Sequence, residues 1–116
     1  MMSGNLYINV SAIDYDRTSE AIRLVLTRLQ EMVHLEEEFA ITDSEFAFGW
    51  HFFVVRVNRE LIESLASQMG PDFDYLKGKG PDKKFLTWLT GRVAAGSPRF
   101  KLAIKEEMES SKFGIF

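Results

Sequence analysis

Residues 46–57 read FAFGWHFFVVRV, and this stretch decides the fold class. Aromatic and β-branched side chains fill it, which is the composition of a strand. Phe46, Phe48, Trp50, Phe52 and Val54 fall on one side; Ala47, Gly49, His51, Phe53, Val55 and Val57 fall on the other. Both sides are largely apolar, so the pattern predicts one strand covered on both faces. Gly49 invites a bulge or a close backbone approach within it.

Upstream, Phe39–Thr42 reads as a short strand followed by a turn through Asp43 and Ser44. Before it, a helix is expected from about Ser19 to Glu37. Ile22, Val25, Leu26, Leu29, Met32 and Val33 recur at helical spacing, and no Gly or Pro interrupts them. Asp16 or Thr18 is placed to cap it, with Glu20 in the first turn. Earlier still, Leu6, Ile8, Val10 and Ala12 alternate with Tyr7, Asn9 and Ser11, the period of a strand over Leu6–Ile13.

Downstream, Asn58 is a good N-cap for a helix whose face is Ile62, Leu65, Ala66 and Met69, and Gly70-Pro71 ends it. Residues 71–84, PDFDYLKGKGPDKK, read as a loop. Phe85–Gly96 is open between two readings. A helix clusters Phe85, Leu86, Leu89 and Val93, whereas a hairpin turns at Thr90-Gly91. Ser97 and Pro98 then resemble the start of a final helix with Phe100, Ala103, Ile104 and Met108 on one face and a Lys105–Glu109 pair. The expected architecture is one α+β domain over residues 1–116: a long N-terminal helix packed on an antiparallel sheet, with additional short helices.

The totals fit that expectation. A chain of 116 residues that is 46% hydrophobic and 13% aromatic carries one core and has no room for two domains. It holds no cysteine, which excludes disulfides, thiolate metal sites and cysteine nucleophiles. The N-terminus MMSGNLYINV lacks the basic and long apolar regions of a signal peptide, and no apolar run reaches the roughly 20 residues of a membrane span. A cytoplasmic protein is therefore expected. Charge is uneven: residues 1–45 hold nine acids against three bases, and residues 46–116 hold eight acids against eleven bases. An acidic half is either an ordinary solvated surface or one that attracts a basic partner.

Few residues suggest chemistry. His34 and His51 are the only histidines, and neither has a second ligand at metal spacing. Asp14-Tyr15-Asp16 and Asp72-Phe73-Asp74 are carboxylate pairs of the kind that turns use for backbone donors. Lys77-Gly78-Lys79-Gly80-Pro81 lacks the spacing of a phosphate loop, and Lys83 stands where a dinucleotide fingerprint needs its third glycine. Lys77, Lys79, Lys83 and Lys84, with Tyr75 and Phe85 nearby, outline a nucleic-acid patch, but a pI near 5.4 weighs against phosphate binding. No catalytic set, metal site or cofactor is expected, nor a membrane or nucleic-acid partner. Glu36-Glu37-Glu38, with Asp43 and Glu45 beyond, is a candidate docking face for cationic side chains.

From residue 20 to about 105 the order of features resembles the YrhB-type immunity-protein family of bacterial polymorphic toxin systems. The likeness is carried by Gly49-Trp50-His51-Phe52-Phe53, by Tyr75-Leu76-x-Gly78-x-Gly80-Pro81 and by Thr90-Gly91-Arg92-Val93. The strand Leu6–Ile13 and the helix Arg59–Met69 depart from that pattern. The resemblance implies a hairpin over Phe85–Gly96 and a non-enzymatic role: neutralising a cognate toxin by direct binding. Glu36, Glu37, Glu38, Asp43 and Glu45 are then the candidate contact residues. Two other readings stand beside it. One is a phage or mobile-element adaptor that self-associates through an exposed apolar patch. The other is a ligand-binding or enzymatic domain with a pocket lined by Trp50, His51 and Tyr75.

Overall fold

Alternation in the first strand sets the middle of the sheet. In β1 (Asn5–Ala12) Leu6, Ile8, Val10 and Ala12 are buried, whereas Tyr7, Asn9 and Ser11 face the other way. The structure, a computed structural model, describes residues 4–96 and 99–105. Next come α1 (Tyr15–Val33), β2 (Phe39–Ile41), β3 (Glu45–Ala47), β4 (Trp50–Asn58), α2 (Arg59–Met69), α3 (Pro71–Asp74), α4 (Gly80–Ala94) and β5 (Phe100–Ile104). All strand pairs are antiparallel, in the order β2-β4-β1-β5, and β3 shares with β2 the outer edge of β4. Ile8 stands between Val55 and Ile104, which fixes the register of the three central strands.

One core joins every layer. Leu6, Ile8 and Val10 meet Phe53, Val55 and Val57 from β4, and all of them pack under Ile22, Leu26 and Leu29 of α1, Leu61 and Leu65 of α2, and Phe85, Leu89 and Val93 of α4. The helices thus cover one face of the sheet. On the other face Tyr7 and Phe52 are 38% and 41% exposed.

The long helix starts and stops earlier than its periodicity predicts. Neither Asp16 nor Thr18 caps it: Asp14 is extended, and its Oδ1 accepts from Arg17 N at 3.0 Å. Capping chemistry sets the start, one turn before the apolar stripe begins. At the other end His34 adopts φ 60°, and Leu35 N donates to Gln30 O at 3.0 Å, so Glu36 and Glu37 lie beyond the helix. By contrast α2 has the expected bounds and devices: Asn58 Oδ1 accepts from Glu60 N at 2.9 Å, and Gly70 closes the helix before Pro71.

Four further expectations change. Residues 46–57 are not one strand covered on both faces: they form a hairpin turning at Phe48-Gly49, and only Phe53, Val55 and Val57 are buried. Residues 71–84 are not all loop, because α3 occupies 71–74 and Gly80-Pro81 open α4, proline being well suited to a first helical turn. Phe85–Gly96 is not the hairpin that the resemblance implies. Phe85, Leu89 and Val93 are buried one turn apart, and Thr90 and Gly91 are on the solvent side of a helix. Finally, Phe100–Ile104 is a strand and not a helix, because its backbone pairs with the second edge of β1. Ser97, Pro98, Met108 and Glu109 lie outside the described residues.

Ties outside the core hold the helical layer in place. Arg59 Nη2 and Asp82 Oδ2 pair at 2.9 Å, linking the start of α2 to the first turn of α4. Lys84 Nζ donates to Asp74 O and Leu76 O, both at 2.8 Å, and Lys83 is also engaged. Phe85 is fully buried, so it and Lys84 serve the fold, whereas Lys77, Lys79 and Tyr75 are exposed. Among the described residues no helix is long and apolar enough to cross a membrane.

Candidate functional site

The β3–β4 hairpin closes in two residues. Ala47 pairs with Trp50, and Phe48 and Gly49 between them have φ 54° and 83°. Two positive φ values in succession define a type I′ turn, whose hand matches the twist of the flanking strands. Glycine adopts such a backbone freely, but a bulky side chain does so against steric resistance. Phe48 accepts that conformation while remaining 97% exposed, so nothing it touches within the chain compensates. Phe46, 65% exposed, and Phe52, 41% exposed, stand on the strands below it.

The base of the hairpin is held against α1. Tyr15, the first residue of that helix, places its ring edge-on to Phe53 at 4.9 Å and donates its hydroxyl to Thr42 O at 2.9 Å. His51 lies between the Tyr15 ring at 6.2 Å and the Phe46 ring at 4.8 Å. Its Nδ1 hydrogen-bonds with Ser44 Oγ at 3.2 Å. Thr42 is joined to Val54 in both directions, by Thr42 N to Val54 O at 3.0 Å and by Val54 N to Thr42 Oγ1 at 2.9 Å. His51 is therefore part of the clasp that carries the exposed turn. On the outer face the Arg99 guanidinium stands 6.0 Å from the Trp50 ring centre.

Asp43 and Glu45 border this hairpin. With Phe52, Val54, Asn9 and Ser11 they line an open depression of about 370 Å³ on the outer face of the sheet. The other proposed acids are elsewhere. Phe39 pairs with Val57 and Glu45 pairs with Phe52, so Glu38 and Glu45 are separated by at least five strand residues, about 16 Å. Glu36 and Glu37 are exposed at that far end. Glu38 is tied into the fold there: its N–H donates to Gln30 Oε1 at 2.7 Å and its carbonyl accepts from Asn58 N at 2.7 Å. The structure thus divides the acidic set into a hairpin pair and a helix-end group.

Trp50, His51 and Tyr75 are not brought together. Trp50 and His51 open β4, whereas segment 74–76 is fastened by Lys84 to the start of α4, beside Arg59 at the other end of that strand. Trp50 and Asn58 are the two ends of this nine-residue strand, about 26 Å apart. Tyr75 is 85% exposed. Among the described residues no group of three or more acids and histidines is close enough to hold a metal ion. The aromatic turn was missed because Phe-Gly is not the Asn-Gly or Asp-Gly pair that marks such hairpins; Gly49 was its one visible signal.

No family model matches this sequence, and neither a curated protein nor a solved structure matches it.

Proposed function

We propose that this chain is a non-enzymatic protein-binding domain that presents the β3–β4 hairpin to a basic partner, and that the partner is a cognate bacterial toxin. The exposed Phe48 on a left-handed backbone carries the binding half of this reading. A conformation that fights its own side chain, kept at an exposed tip, is the kind of local strain that accompanies function. Aromatic side chains ringed by polar groups are the usual energetic centre of protein interfaces. Phe48 at the tip and Phe52 on the outer face supply the anchors, and Asp43 and Glu45 supply a charged rim that steers a basic protein. The toxin half rests on the motif resemblance to YrhB-type immunity proteins. Neutralising a toxin in the cell that makes it gives the protein a cytoplasmic place of action.

The test is co-expression with the product of the gene immediately upstream. Rescue of growth and co-elution of a stable complex are expected, and loss of both on Phe48→Ala. Asp43→Lys with Glu45→Lys slows association about tenfold at low salt. Glu36→Lys with Glu37→Lys, roughly 16 Å away, does not. No complex with the upstream product removes the toxin reading; a complex indifferent to Phe48 removes the hairpin.

Self-association is a second reading, favoured by Tyr7 and Phe52 on the outer sheet face. Sedimentation that shows a monomer at every concentration would exclude it.

A further inference from the structure

A second surface lies on the solvent side of the helical layer, where α1 and α4 run antiparallel. Two adjoining hollows of about 400 and 390 Å³ share Val25, Arg28, Arg92 and Ala95, which makes them one groove. It extends from Arg17 to Met32 along α1, sixteen residues or about 22 Å of helix. From α4 it takes Trp88, Gly91, Arg92 and Ala95, the i, i+3, i+4, i+7 row of a single face.

Three properties of the groove point to its occupant. First, it offers apolar anchors: Leu24 is 50% exposed, Met32 is 46% exposed, and Trp88 is held in place by stacking on Phe85 at 5.8 Å. Second, it is cationic in a chain of net charge −3. Arg17, Arg28 and Arg92 line it against the single acid Glu20, and no carboxylate pairs with these arginines among the described residues. Arg92 lies over the Trp88 ring at 5.4 Å, so cation and anchor share one position. Third, the floor is low. Gly91 is in the interior of α4, where glycine disfavours the helix, yet a β-carbon built on it meets nothing within 4 Å. No close contact within the described chain requires that glycine, and its absent side chain leaves room for a backbone from outside.

We propose that this groove receives an acidic amphipathic α-helix, about four turns long, from a partner protein. Its apolar stripe seats between Leu24, Met32 and Trp88, and its flanking carboxylates meet Arg17, Arg28 and Arg92 as charge-assisted hydrogen bonds. A helix fits because the two walls are themselves helices, and ridges of a third interdigitate with their i, i+3/i+4 rows. An extended peptide would leave its own backbone groups unpaired above these helical walls. The site is on the opposite layer from the hairpin, so the two proposals stand or fall separately.

The full chain is panned against a displayed library of helix-stabilised peptides of about 15 residues, and enriched peptides are titrated by Trp88 fluorescence. Enriched sequences are expected to carry Glu or Asp beside an apolar i, i+3/i+4, i+7 stripe. Their affinity should fall at least about tenfold on Arg28→Glu with Arg92→Glu, and similarly on Gly91→Leu, which fills the floor. Because both arginines are exposed, the charge-reversed protein keeps its fold and decides the matter if Gly91→Leu does not. No enrichment, enrichment of basic or uncharged helices, or undiminished binding to the charge-reversed protein overturns the proposal.

Discussion

The hairpin tip and the helical groove are opposite in form and in sign. The tip is convex, aromatic and shouldered by Asp43 and Glu45; the groove is concave and lined by Arg17, Arg28 and Arg92. They also differ in what lies beneath them. Under the groove Leu29, Phe85 and Leu89 are buried, so its walls are the outer rows of core helices. Beneath the turn there is only the three-residue strand β3, paired to β4 and clasped by Tyr15 and His51. The lesson is that exposure of apolar groups has two physical origins here. In the groove it is a by-product of helices that are fully used on their other side. At the tip it is kept at a cost in backbone energy that the chain does not recover alone.

The largest test of this contrast is Phe85→Ala, which removes a fully buried ring from the α4 side of the core. It should lower unfolding free energy by about 3–5 kcal/mol in denaturant titrations. A loss below about 2 kcal/mol would mean that the groove wall is not anchored in the core as described. Next comes Phe48→Asn. Asparagine tolerates positive φ at a type I′ turn, so stability should rise by about 1 kcal/mol while partner binding is lost. A fall in stability would show that the Phe48 ring makes contacts that offset its strain. Smaller again is Gly91→Ala, which should raise the melting temperature with a gain of about 0.5–1 kcal/mol, since the space beside it is empty. Last, Asp43→Lys with Glu45→Lys should leave stability within about 0.5 kcal/mol, both residues being exposed. A larger change would make that rim structural.

Local chemistry explains which parts of this architecture could be read beforehand. Where local signals were complete, as in the alternation of β1 and the Asn58 cap and Gly70-Pro71 stop of α2, the sequence was enough. It failed where distant pairing decides. Phe100, Ala103 and Ile104 suit a helix face as well as a strand, and only the free edge of β1 selects the strand. Thr90-Gly91 has the look of a turn, and burial of Phe85, Leu89 and Val93 against three other elements overrides it. For the candidate site, the rim residues Asp43 and Glu45 were legible as acids, but their separation from Glu36 and Glu37 was not. Six to nine residues of chain look close until β2 is laid along β4 between them. The arginine groove was least legible, since its halves are more than fifty residues apart and each alone resembles an ordinary solvated helix face.

The position of β1 has a consequence for how the molecule is made. The ribosome delivers this central strand first, its partner β4 some forty residues later, and its other neighbour, β5, only near residue 104. Throughout synthesis of the intervening chain, one ladder of N–H and C=O groups beside Ile8 and Val10 has no native mate. A newborn chain therefore stays open to pairing with another copy until β5 emerges.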